Sequence, residues 1–121
     1  MGCPVVHFEV GTTNIEKALK LYSELGGWEI AKFGEMDYYG VETKSGGAGI
    51  GGGIFLAPDA SMVQVTVYAE VDDVQKYLDR CVELGGKVVM PSTPIEGVGE
   101  VGMFTDPDGN AFGLYKPLPQ G

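Results

Sequence analysis

An α+β fold built from two βαβββ modules is predicted by three observations. The first is a repeat: the stretch 6–27, VHFEVGTTNIEKALKLYSELGG, returns 59 residues later as VTVYAEVDDVQKYLDRCVELGG, and Glu24, Leu25, Gly26 and Gly27 recur identically as Glu83, Leu84, Gly85 and Gly86. The second is periodicity: Ile15, Ala18, Leu19, Tyr22 and Leu25 match Val74, Tyr77, Leu78, Cys81 and Leu84 at the i, i+3, i+4, i+7 spacing of one helical face. The third is the strand chemistry around each helix: an alternating segment before it and several short β-prone segments after it, with an Asp-Gly turn between the last two in the second half. The modules, about 4–58 and 62–117, are expected to form a single domain over 1–121. Its curved mixed sheets should surround a shared cup, with the helices on the outer side.

The elements follow in order. Residues 4–10 alternate, so Val6, Phe8 and Val10 should face the helix, with Val5, His7 and Glu9 on the opposite face. Asn14 is placed to cap the first helix, and Gly26 to end it in a left-handed conformation. Strands are expected at 28–33, 37–44 and 50–56, separated by a turn at 34–36 and a loop at 45–48. Gly51, Gly52 and Gly53 weaken the last of these strands intrinsically, which points to a bulge or to a group lying close against the backbone. Residues 59–62 should join the halves. In the second half a strand at 63–71 leads to a helix capped by Asp73 and ended at Gly85. Then come a strand at 87–90, a Pro-bearing loop at 91–99, a strand at 100–105, a turn at 106–110 and a final strand at 111–116.

Composition narrows the function classes. The formal net charge is −9, from 8 basic and 17 acidic residues, and no Lys or Arg cluster occurs; nucleic acid and anionic membranes are therefore not expected partners. The two cysteines, Cys3 and Cys81, have no framework spacing and fit a reducing, cytoplasmic compartment. No stretch has the length and apolarity of a membrane span or the layout of a signal peptide. Met1-Gly2-Cys3 opens like an acylation signal, but Val6 stands where that signal needs Ser or Thr. Gly47, Gly49 and Gly52 satisfy a G-x-G-x-x-G pattern, yet a strand rather than a helix N-terminus follows, so no phosphate site is expected. DPDGN begins like a calcium loop but lacks the closing Glu, since Pro117 stands there.

Paired βαβββ modules, His7 in the HFEV strand, EVDDV at 70–74, ELGGKV at 83–88 and DPDGNAFGLYKP at 106–117 together resemble the vicinal oxygen chelate superfamily, which includes glyoxalase I, bleomycin- and fosfomycin-resistance proteins, methylmalonyl-CoA epimerase and extradiol dioxygenases. The resemblance implies ligand positions on the first and last strand of each module, here His7, Gly53, Thr66 and Gly113. His7 matches; the two glycines offer no side-chain donor, and Thr66 stands where His or Gln is usual. The chain thus resembles the metal-free members, with no metal or cofactor expected, and implies a homodimer.

By alternation, the cup should be lined by Val5, His7 and Glu9, by Phe55, by Gln64, Thr66, Tyr68 and Glu70, and by Gly113 and Tyr115. Aromatic walls with a few polar groups suit a small organic molecule, and Glu9 and Glu70 favour a neutral or cationic one over a phosphorylated one. The expected function is metal-independent small-molecule binding of the glyoxalase/bleomycin-resistance type, with ligand-binding residues His7, Glu9, Gly53, Phe55, Gln64, Thr66, Tyr68, Glu70, Gly113 and Tyr115. The alternative is a divalent-metal-dependent glyoxalase-like lyase, epimerase or dioxygenase using His7 with Glu9 or Glu70. A lone strand histidine is also a common structural residue, so His7 has a bland reading beside the functional one.

Overall fold

The computed structural model describes residues 2–35, 37–44 and 48–119. The chain forms two compact units, Val6–Thr66 and a second comprising Val67–Gly121 together with Met1–Val5. The first carries β1 (Val5–Thr12), α1 (Ile15–Gly26), β2 (Glu29–Lys32), β3 (Tyr38–Glu42), β4 (Gly51–Leu56) and a short 3-10 turn (Ala60–Met62). The second carries β5 (Val65–Glu70), α2 (Val74–Glu83), β6 (Lys87–Ile95), β7 (Gly99–Thr105) and β8 (Ala111–Pro117). Strand order in the first is β2-β3-β4-β1 and in the second β6-β7-β8-β5, so the repeat read in the sequence is a repeat of topology. In each unit the opening strand pairs parallel with the last, β1 with β4 and β5 with β8, and the remaining pairs are antiparallel. The fold is α+β with mixed sheets. No helix among the described residues is long and apolar enough to cross a membrane.

Helix ends obey local chemistry. The Asn14 side chain accepts from the Lys17 amide at 3.2 Å and Asp73 from the Lys76 amide at 3.1 Å, each supplying a partner for a first-turn N–H. The first helix runs one residue further than expected. Gly26 stays helical, packed against the Trp28 ring, and Gly27 takes the left-handed cap at φ 68°, its N–H donating to the Ser23 carbonyl at 3.0 Å. In the second copy Gly85 does take positive φ, 103°, after a helix that stops at Glu83.

Each helix covers one face of its own sheet. Val10, Val41 and Ile54 are buried beneath Ile15, Ala18, Leu19 and Tyr22, with Phe8 and Trp28 completing the layer. Tyr22 stacks on Trp28 at 5.6 Å with the rings parallel. In the second unit Ala69, Val71, Val74, Leu78 and Leu114 form the core, with Phe104 and Phe112 against it; Leu78 has no exposed surface. The residue alternation expected for β1 holds, because Phe8 and Val10 share the helix side and leave His7 and Glu9 opposite.

Two segments differ from expectation. Residues 91–99 are not all loop: β6 continues through Pro91 and Pro94 to Ile95, with register shifts between Val88 and Met90 and between Met90 and Thr93. Strand β6 lies at the end of its unit's order, and an edge strand with bulges is where a residue lacking an N–H is tolerated. The expected turn at 34–36 and loop at 45–48 involve Met36 and Ser45, Gly46 and Gly47, which lie outside the described residues. The 106–110 turn is as expected. Asp106 accepts from the Asp108 and Asn110 amides, both at 2.9 Å, and from Asn110 Nδ2 at 2.8 Å. These bonds, led by the Asn110 side chain, hold its carboxyl below the ordinary aspartate range.

Candidate functional site

Strand pairing places the glycine run of β4 between two neighbours. Register sets Glu9 beside Gly53 on the β1 side and Gly40 beside Gly53 on the β3 side, with Tyr38 opposite Phe55. A diagonal position two residues away lies within reach of an aromatic side chain, and Tyr38 crosses to Gly53. A Cβ built on Gly53 would lie 2.0 Å from the Tyr38 hydroxyl and 2.2 Å from its Cζ, so the space that glycine vacates is filled by the phenol. The hydroxyl ends between one acidic and one basic side chain of β1. It donates to Glu9 Oε2 at 2.9 Å and lies 2.9 Å from His7 Nε2. His7 and Glu9 keep 32% and 20% of their side-chain surface, so the trio is half-buried and reachable. Phe33 braces the Tyr38 ring edge-on at 6.3 Å.

The second unit solves the same vacancy from the other side. Register pairs Tyr68 directly with Gly113, and a Cβ on Gly113 would meet Tyr68 Cδ2 at 2.3 Å. Tyr68 is the repeat equivalent of Glu9, so in one module the residue beside the glycine fills the space itself. In the other it bonds to a tyrosine that does. Tyr68 is buried, Glu70 is exposed, and Tyr115 is half-buried with its hydroxyl donating to the Val98 carbonyl at 3.3 Å. In the first unit Phe55 lies over Gly11, Thr66 is buried, and Gln64 accepts from the Gly11 amide through its carbonyl at 2.9 Å.

Among the sequence-derived residues, His7, Glu9 and Gly53 meet through Tyr38, and Tyr68 meets Gly113. Gln64 instead lines a groove of about 350 Å³ with Val10, Leu21, Tyr22, Val63 and Val65. A depression of about 690 Å³ runs along α2, bordered by Asp73, Lys76, Asp79 and Arg80. The residue that sequence reasoning missed is Tyr38. Its signal was present in the two-residue alternation of β3, but it could be used only once β3 was known to run antiparallel beside β4.

A metal held at the ligand positions implied by the resemblance does not fit the residues present. Gly53 and Gly113 carry no donor, and each lacks room for a carboxylate because a tyrosine ring stands there. His7 and Thr66 are the two side-chain donors left, and among the described residues no three His, Cys, Asp or Glu side chains converge.

The βαβββ order repeated in both units is the arrangement expected of the glyoxalase and dioxygenase class. The sequence model of the Glyoxalase/Bleomycin resistance protein/Dioxygenase superfamily matches residues 5–114, and the chain belongs to that family. It is 33% identical over 113 residues to the protein named "Putative glyoxylase CFP32" of Mycobacterium bovis, covering 89% of this chain and 43% of that protein. The chain thus spans less than half the length of this curated relative. Among solved structures, it superposes on methylmalonyl-CoA epimerase from Mycobacterium tuberculosis at TM-score 0.65 and 14% identity, over 95% of this chain and 88% of that one. An extradiol ring-cleaving dioxygenase from B. fuscum gives TM-score 0.69 at 14% identity, over 97% of this chain and 33% of that one. These likenesses show the fold alone.

Proposed function

We propose that this chain is a metal-independent member of its family that binds a small, partly apolar organic molecule, neutral or cationic, on the strand face bearing His7, Tyr38 and Glu9. One observation carries the reading: tyrosine rings stand at both glycines where a carboxylate would be needed, and one of those rings closes a hydrogen-bonded chain with the only histidine. A phenol and an imidazole orient a ligand by directional bonds, while Glu9 sets the sign of the field. The two free, half-buried thiols fit a reducing cytoplasmic setting. Thermal-shift screening of chelator-treated protein against metabolites and antibiotics tests the reading. Binding at a hundred times Kd stabilises by about 2.7 kcal/mol, and the expected hits are neutral or cationic, lost in His7→Ala. A screen in which no compound raises Tm refutes the proposal.

A second reading is favoured by the name of the 33% identical relative: a divalent-metal glyoxalase-like lyase, epimerase or dioxygenase using His7 with Glu9 or Glu70. Elemental analysis of metal-replete protein decides it, with about one transition-metal ion per chain required and loss of that ion in His7→Ala. The functional form is proposed to be a homodimer; sedimentation at the 12.8 kDa of one chain would refute that.

A further inference from the structure

We infer that the first unit carries a second binding site, on the helix side of its sheet, for a small carboxylic acid with an apolar body. The site is the groove of about 350 Å³ between α1 and residues 63–65, all of which belong to that unit. Val10 forms its floor, with Ala18, Leu21 and Tyr22 of α1 on one side and Val63 and Val65 on the other. Val10 packs beneath α1, whereas His7 and Glu9 lie on the opposite face of β1, so the groove is separate from the proposed His7 site. Backbone pairing fixes the second wall, because the Gly11 N–H donates to the Gln64 carbonyl at 2.9 Å. The volume lies within the roughly 300–1,000 Å³ typical of small-molecule sites.

The repeat explains why the groove is open. Shifted by 59 residues, Lys17, Ala18 and Leu21 become Lys76, Tyr77 and Arg80. In the second unit the Glu70 N–H donates to the Pro4 carbonyl at 2.8 Å, much as Gly11 donates to Gln64, and Tyr77 reaches across to hydrogen-bond with the Cys3 side chain. The methyl group of Ala18 cannot make that span. Leu21, Val63 and Val65 are left 54%, 50% and 66% exposed. Charge then selects the occupant. Lys17 is the only charged side chain lining the groove, in a chain with 17 acidic residues and 8 basic ones. It sits in the first turn of α1, where the helix end repels a cation, so its charge serves the helix poorly and an incoming anion well. With a screening length of about 8 Å at physiological ionic strength, the sign inside the groove outweighs the distant net charge. A carboxylate beside Lys17, with its apolar body against Leu21, Val63 and Val65, pairs the ammonium group and covers the exposed apolar surface.

Amide-proton NMR titration of the whole chain with straight-chain and phenyl-substituted alkanoic acids, each beside its neutral amide, tests the site. Saturable shifts should centre on Lys17, Ala18, Leu21, Val63 and Val65, and each neutral amide should bind at least about tenfold more weakly than its acid. Lys17→Gln keeps the volume and removes the charge; it should weaken the acid at least about tenfold and bring it level with the neutral amide. Ala18→Tyr restores the side chain of the second copy and should abolish binding. Should that variant not fold, Val65→Glu puts a like charge on an exposed wall position and should weaken the acid by the same factor. The inference is overturned if no acid gives saturable shifts up to about 10 mM, if acid and neutral amide bind equally, or if Lys17→Gln and Val65→Glu bind the acid as wild type does. Shifts centred on His7, Glu9 and Tyr38 instead would put the acid on the other face and overturn it too. So would groove signals that move with protein concentration in the absence of any acid, which would assign this surface to a second copy of the chain.

Discussion

Gly53 and Gly113 each lie against a tyrosine ring, and each glycine–tyrosine pair should behave as a unit. The Gly113 pair is the more rigid, because Tyr68 meets the added atom with its ring edge and is itself buried. Gly113→Ala should therefore cost about 1–3 kcal/mol, the range for overpacking a close-fitted interior. On a Tyr68→Ala background the same change should cost at least about 1 kcal/mol less, a coupling that urea unfolding of the four proteins would measure. Additive losses would mean that the ring does not hold the space. Both glycines were conspicuous in the sequence, as was His7, because a strand interior seldom needs glycine and the chain has no other histidine. The tyrosines were not. Tyr38 reaches Gly53 diagonally across an antiparallel pair, and no local pattern in the chain specifies which strand lies beside which.

Helices and turns were the most legible elements, since their signals are local. Asn14→Ala and Asp73→Ala should each lower stability by about 1 kcal/mol, the usual effect of losing a capping acceptor, measurable as a fall in Tm. Gly27→Ala should cost about 1 kcal/mol because it forces a Cβ into left-handed backbone, whereas Gly26 is constrained by the Trp28 ring rather than by φ. The expected stop at Gly26 was one residue early because two glycines in a row give no local reason to choose between them. For the 106–110 turn the pH dependence has a definite sign. Asp106 is ionised more readily folded than unfolded, so its contribution is present above the ordinary aspartate range and is lost as pH falls through its lowered folded value. The Tm gap between wild type and Asp106→Ala should hold between pH 5 and 7 and close at the acid end; a gap that widens on acidification contradicts the bond pattern. The prolines of β6 misled in the other direction. Pro91 and Pro94 read as loop because a sequence does not reveal that its strand will lie at a sheet edge.

At the level of the entire chain, duplication was the strongest signal, and the element order of both units was legible from it before any pairing was known. Their cores should be independently sensitive: Leu78, with no exposed surface, should cost about 2–5 kcal/mol on truncation to Ala by urea unfolding. The family is shown by the sequence model that matches residues 5–114, whereas the fold does not by itself fix an activity. The decisive experiment is calorimetric titration of the compound that raises Tm most, once in chelator and once after addition of zinc, manganese or nickel. Metal-independent binding through His7, Tyr38 and Glu9 predicts the same Kd within about twofold in both conditions. Binding that disappears in chelator and returns with a metal would contradict it.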